Sequence, residues 1–401
     1  MPSSRRVGYI FCNELVAASD SLPSNKGRAS LVHSLVKAYG LLDRMSQIEP
    51  EPATHLDLQV FHSSDYVSFL MEAEFLDPLS EAYQQDAEIY GLIDTYDYFF
   101  KAHRNSLSYN SDCYVFPGLR KYALWIAGAS LASARSLVSG QYQIVLNWDG
   151  GRHHGKRDEA SGFCHINDIV LAIMELHKRF NRVLYVDVDV HHGDGVESAF
   201  IATPRALTLS FHRHEIGFFP GTGGQFDAGI GKGRHHALNI PLRSGMRGPS
   251  FARLFQQITA SAIDAYTPDA IVMQCGVDGL SLDPLGGNWN LDTTSIGDCV
   301  KTVLHAGLPT LFCGGGGYNA TAAACCWTYC TSIVTEGSSV GDGVPISADL
   351  PDHDYLDQYA PEFSLFSRLG NMQDHNNSDY LDMVSEGIQT HLDIIKENSK
   401  I

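Results

Sequence analysis

From Gln143 onward, short β-branched runs alternate with longer amphipathic stretches. The runs Ile144–Asn147, Val183–Val190, Ala206–Phe211, Ala270–Cys275 and Thr310–Cys313 have the length and residue types of strands. Between and after them, Asn167–Arg179, Phe251–Tyr266, Ser295–His305 and Ala320–Ile333 read as helices. Near-continuous apolar strands alternating with helices predict an α/β protein whose parallel sheet is covered on both faces. The N-terminal third reads mostly helical: Gly27–Met45 carries Leu31, Val32, Leu35, Val36 and Tyr39 at helical spacing. In parallel sheets, sites form beyond the carboxyl ends of the strands. The polar clusters Asp149–His154, Asp187–Asp194, Gly276–Asp283 and Gly314–Tyr318 each follow a strand-like run. Those strand ends are expected to converge on one crevice.

The chemistry of these clusters is specific. In Tyr185-Val-Asp187-Val-Asp189-Val-His191-His192-Gly-Asp194-Gly195, alternation along a strand puts Asp187, Asp189 and His191 on one face. Two carboxylates and an imidazole on a buried face repel one another, and a divalent cation resolves the conflict. Asp278, after the next strand, offers a further oxygen ligand. One imidazole and two carboxylates leave an open position, as a catalytic zinc requires, although Fe²⁺, Co²⁺ or Mn²⁺ could compete. Gly150-Gly151-Arg152-His153-His154 places two imidazoles at a glycine-flanked strand exit. Either could act as a general base beside a metal, given an orienting carboxylate. Asp187 and Asp194 remain for that task. Gly314-Gly-Gly-Gly317-Tyr318 allows close backbone approach and places a phenol where it could donate to an oxyanion. It lacks the Lys-Ser/Thr ending of a phosphate-binding loop.

Composition narrows the class. Of 401 residues, 44% are hydrophobic, enough for a sizeable core, and only 18% are charged. The 28 Lys+Arg against 46 Asp+Glu leave a net charge of −18, a poor match for nucleic acid or an anionic membrane. No direct DNA binding is expected. No run approaches the roughly 18 apolar residues of a membrane span. Nine cysteines without an apolar leader suggest reduced thiols in an intracellular, soluble protein.

Together these motifs resemble the zinc-dependent histone deacetylase family, class I, and its short type-eight branch in particular. The resemblance runs from about Val7 to Phe363. It includes Arg28-Ala-Ser30, Phe61-His62, Asn147-Trp148, Asp158-Glu-Ala-Ser-Gly-Phe163-Cys164, Gly217-Phe218-Phe219-Pro-Gly-Thr-Gly223, Asp283-Pro284 and Gly314–Asn319. The branch likeness lies in Arg28-Ala-Ser-Leu-Val-His-Ser-Leu, Gly231-Lys-Gly-Arg and Leu350-Pro-Asp-His. It implies the arginase/deacetylase fold, a central parallel sheet of about eight strands with helices on both faces. It also implies one catalytic domain over 1–401 with a short C-terminal helical extension. The implied activity is hydrolysis of N-ε-acetyl-lysine in proteins such as histone tails, in the nucleus or cytoplasm.

By the same resemblance, Asp189, His191 and Asp278 would bind Zn²⁺, with Fe²⁺ possible, and hydroxamates would bind that metal. His154 would be general base and then acid, His153 an electrostatic support, with Asp187 orienting His153 and Asp194 orienting His154. Tyr318 would hold the oxyanion. Gly162, Phe163, Phe219, Leu285 and Gly316 would line the substrate channel, and Asp112 would grip substrate amides at its rim. K⁺ would sit among Asp187, Asp189, His191, Ser210 and Phe211. Arg28 would line an internal acetate channel. Arg152 departs from the apolar residue usual before the histidine pair and would add a second cation there. Three other outcomes stay open on this fold: an acetylpolyamine amidohydrolase, an arginase-like ureohydrolase with two metals, or an inactive acyl-lysine binder.

Overall fold

The strands β1 (Val7–Ile10), β2 (Ser46–Ile48), β5 (Ile144–Asn147), β6 (Val183–Asp187), β7 (Ala206–Arg213), β8 (Ala237–Leu242), β9 (Ala270–Gln274) and β10 (Thr310–Cys313) form one sheet. Its order is β2-β1-β5-β10-β9-β6-β7-β8, and every pairing is parallel. A separate two-residue pairing joins β3 (Leu92–Ile93) to β4 (Cys113–Tyr114). This is a computed structural model, and it describes residues 6–93, 113–286, 289–336 and 346–398. The expected eight-stranded parallel sheet is therefore present.

Alternation along each strand feeds two cores. Leu184 and Val186 join Leu146, Leu209, Ile271 and Phe312 on one face. Val183 and Tyr185 join Val145, Val272 and Leu311 on the other. Helices Arg28–Ala38, Gly248–Tyr266, Thr293–His305 and Ala320–Glu336 contribute to the first core. Helices Leu119–Val138 and Asp168–Leu176 contribute to the second. Helix Ser378–Asn398 adds Val384, Ile388, Leu392 and Ile395 to the first. Both faces are thus covered, which is why the strands read as continuous apolar runs. Among the described residues, no helix is long and apolar enough to cross a membrane.

Two expectations need correction. The helix over Gly27–Met45 stops at Ala38, because Gly40 adopts φ +67° and turns the chain into a 3₁₀ turn, Leu41–Arg44, ahead of β2. The strand over Val183–Val190 stops at Asp187. There Asp187 Oδ1 accepts from Asp189 N at 3.0 Å, and Asp189 Oδ1 accepts from His191 N at 3.1 Å. These local bonds take the place of the ladder. Asp189 and His191 are therefore aimed by successive side-chain turns rather than by strand pleat.

Candidate metal centre and active site

Asp189 and His191 follow β6, and Asp278 follows β9, its neighbour in the sheet. One ligand atom from each lies within 4.8 Å of the others. His191 Nδ1 is 2.9 Å from Asp278 Oδ2 and 3.2 Å from Asp189 Oδ1. The remaining oxygens are held by backbone and amide donors. Asp278 Oδ1 accepts from Val190 N at 2.9 Å, and Asp189 Oδ2 accepts from Gly316 N at 2.8 Å and Gln274 Nε2 at 2.9 Å. A Cβ on Gly316 would lie 2.3 Å from Asp278 Oδ2 and 2.7 Å from Asp189 Oδ2. Glycine thus keeps the space beside both carboxylates open. Burial, and then the Asp189 charge, push the Asp278 carboxyl up to about 7. Two buried carboxylates from neighbouring strand ends, with an imidazole nitrogen aimed at both, fit a divalent cation of the zinc or iron kind.

The histidine pair follows β5. His153 Nδ1 donates to Asp187 Oδ2, and His154 Nδ1 donates to Asp194 Oδ1, each at 2.7 Å. A carboxylate can only accept, so in a neutral His154 the proton sits on Nδ1 and the Nε2 lone pair is free. The rings are 3.9 Å apart, and their environments push them in opposite directions. Burial, and then the His153 charge, bring His154 down to about 4. Burial also opposes protonation of His153, but Asp187 and Asp189 outweigh it and raise it to about 9. The pair therefore offers a neutral base beside an imidazole whose surroundings favour its protonated form.

Tyr318 follows the glycine run after β10. Asp283 anchors its loop: Oδ2 accepts from Tyr318 N and Asn319 N, and Oδ1 accepts from Leu285 N and Gly286 N. Burial, and then Asp278 and Asp189, raise the phenol well above its ordinary value, so it stays a donor. Phe163 meets the Tyr318 ring at 5.6 Å, and Phe219 meets the His154 ring at 5.0 Å. All three of these aromatics are half-buried. Gly162 has φ +54°, and a Cβ there would lie 2.2 Å from His154 Cδ2. Leu285 is exposed.

Arg28 and Arg152 are both buried and line a cavity large enough for about one water, with Ser19, Asn25 and Asp149. Arg28 Nη1 also donates to Gly317 O at 2.7 Å, tying the tyrosine loop to helix Arg28–Ala38. Burial, and then Arg152, lower Arg28 to about 10. Arg152 Nη2 donates to Asp149 O at 3.1 Å, and its buried Nε has no partner among the described residues. Ser210 Oγ pairs with His212 Nδ1 at 2.9 Å, next to the core side chain of Phe211. Asp112 lies outside the described residues.

Sequence reading missed several supports. Gln274, a lone amide in an apolar strand, braces Asp189. Asp168, within the helix-like stretch Asn167–Arg179, was not singled out, yet its carboxylate accepts from Gly151 N at 3.0 Å and Arg152 N at 2.7 Å. His62 Nε2 accepts from Asn167 N at 3.0 Å, and Asn167 Nδ2 donates to Gly155 O at 2.8 Å, bracing the loop after the histidine pair. All nine cysteines are buried, and none is joined in a disulfide.

His62 and His165 carry a stability prediction. Burial lowers each from 6.5 to about 4. Between those values the unfolded chain binds protons that the folded chain does not, so stability falls as pH falls. Each shift corresponds to about 3 kcal/mol once pH is below both values. The urea midpoint is expected to drop between pH 6.5 and 4.5, above the range where most carboxylates titrate. A flat or rising midpoint there would contradict this.

One three-residue ion site beside two His–Asp pairs and a phenol, at the strand ends of a parallel sheet, defines a metal-dependent hydrolase of the amide-cleaving kind. The family model for the histone deacetylase domain matches residues 22–334. Histone deacetylase 8 of Danio rerio is 38% identical over 393 residues, covering 97% of this chain and 96% of that protein. Histone deacetylase 8 of Xenopus tropicalis is 38% identical over 385 residues, covering 96% and 97% respectively. The chain belongs to the histone deacetylase family, on the type-eight branch of class I, and its sheet is that of the arginase/deacetylase fold.

Proposed function

We propose that the protein hydrolyses N-ε-acetyl-lysine in proteins, histone tails among them, to lysine and acetate. The observation that carries this is the meeting of Asp189, His191 and Asp278 beside the His153–Asp187 and His154–Asp194 pairs. The three ligands would hold Zn²⁺, with Fe²⁺ as the alternative. Bound there, the ion would polarise the acetyl carbonyl and acidify water. His154 would take the water proton on Nε2 and return it to the leaving amine, while Asp194 keeps its tautomer. His153, paired with Asp187, would lend positive charge. Tyr318 would donate to the developing oxyanion.

Phe163 and Phe219 would wall a channel for the lysine methylenes, with Gly162, Gly316 and Leu285 beside it. Apolar walls favour the neutral acetylated head over a free ammonium. Asp112 would hold the substrate backbone at the rim. K⁺ would be held by Asp187, Asp189, His191, Ser210 and Phe211, partly through backbone oxygens. Residues 1–401 would act as one catalytic domain in nucleus or cytoplasm, hydroxamates would bind the metal, and neither DNA nor membrane would be a partner.

Arg28 and Arg152 would guide acetate out, with one of them swinging aside because the cavity between them is small. Arg152→Leu is expected to weaken product inhibition by acetate several-fold. Unchanged turnover and unchanged acetate inhibition would end this part of the account.

The deciding assay offers acetyl-lysine peptides, acetylspermidine and arginine side by side to the zinc-reconstituted protein. Only the peptides are expected to react. Equal or faster acetylspermidine cleavage would make it a polyamine enzyme, and urea from arginine a ureohydrolase. Peptide binding without turnover would make it a binder.

A further inference from the structure

His191 turns Nδ1 toward both carboxylates, and its Nε2 has no hydrogen-bond partner among the described residues. Metal-binding histidines are usually oriented through a hydrogen bond on the second nitrogen. Here a ring takes that place. Phe218 lies parallel to His191, with 2° between the planes and 5.1 Å between centroids. The Arg213 guanidinium covers Phe218 at 4.2 Å. Arg213 Nε is paired with Glu215 Oε2, which also accepts from Ser244 N at 3.1 Å, just past β8. Glu215 O accepts from Phe218 N at 3.0 Å, closing the turn that presents the ring. Arg213 N donates to Val190 O at 2.8 Å, beside His191 itself.

We propose that Phe218 is a positioning residue for His191, held in place by Arg213 and Glu215, and that this stack sets the affinity of the metal centre. It rests on the reading that Asp189, His191 and Asp278 hold the metal. The stack fixes the plane of the imidazole, and therefore the direction of its Nδ1 lone pair, which a hydrogen bond to Nε2 would otherwise fix. Charge explains the third member. A lone guanidinium so near a cation site would oppose the metal, and Glu215 neutralises it at contact distance. The segment His212-Arg-His-Glu215, unused by the proposed chemistry, thereby gains a role.

Zn²⁺ affinity, measured by competition with a chromophoric chelator, tests this apart from turnover. Phe218→Leu, which keeps bulk and loses the ring face, is expected to loosen Zn²⁺ about tenfold or more. Phe218→Tyr, which restores the ring, is expected to stay within about threefold of wild type, and the metal-free proteins to melt together. Wild-type affinity in Phe218→Leu, or equal loss in Phe218→Tyr, would overturn the proposal. If Phe218→Leu does not fold, Arg213→Gln decides: a several-fold loss supports the stack and unchanged affinity overturns it. Asp278→Ala is the control. Wild type holding Zn²⁺ no tighter than Asp278→Ala would overturn the metal centre and this proposal with it.

Discussion

His154→Ala is expected to lower kcat on an acetyl-lysine peptide by about 10²–10⁴-fold, with Zn²⁺ still bound. The argument is one of lone pairs. His154 Nδ1–H donates to Asp194, leaving Nε2 to take a proton. The neighbouring His153 is a poor substitute, because Asp187, which accepts from its Nδ1 at 2.7 Å, favours its protonated form. Two adjacent imidazoles pushed apart in this way have separate tasks. His154 is not among the three ion-site residues, so metal content separates loss of the base from loss of the site. Turnover within tenfold of wild type would remove His154 from the proton path.

Tyr318→Phe is expected to cost about 10²–10³ in kcat, the effect of removing one oxyanion donor. The substitution deletes only a hydroxyl. The ring would keep its contact with Phe163, and Asp283 would still hold the loop through Tyr318 N and Asn319 N. KM for the peptide should therefore change little, and thermal stability hardly at all. A raised KM with unchanged kcat would mean that Tyr318 binds substrate in its ground state instead.

Much of this was legible in the chain. The apolar runs located β5, β6, β7, β9 and β10, and the polar clusters beyond them hold every ion-site residue. The strands β1, β2 and β8 were not read: β1 and β2 have only four and three residues, and Asn239 and Pro241 interrupt the apolar run of β8. The reason given for Asp189 and His191 sharing a face was also incomplete, since side-chain turns rather than pleat aim them. What composition and spacing could not reveal is long-range support. Arg28 reaches a carbonyl 289 positions away, and Gly316 N reaches Asp189 across 127. Asp283 was visible only as part of a motif, while its four backbone donors became apparent from the folded loop. Phe218 appeared only as the neighbour of the expected channel residue Phe219, yet it is the ring stacked on His191.

The claim beneath all of this is that segments after β6 and β9 share a single ion. Crystals of the zinc-reconstituted protein, measured on both sides of the zinc absorption edge, test it most directly. The account predicts one anomalous peak at bonding distance from His191 Nδ1 and from oxygens of Asp189 and Asp278. A peak elsewhere, a second peak of equal height beside the histidine pair, or none at this site would contradict it.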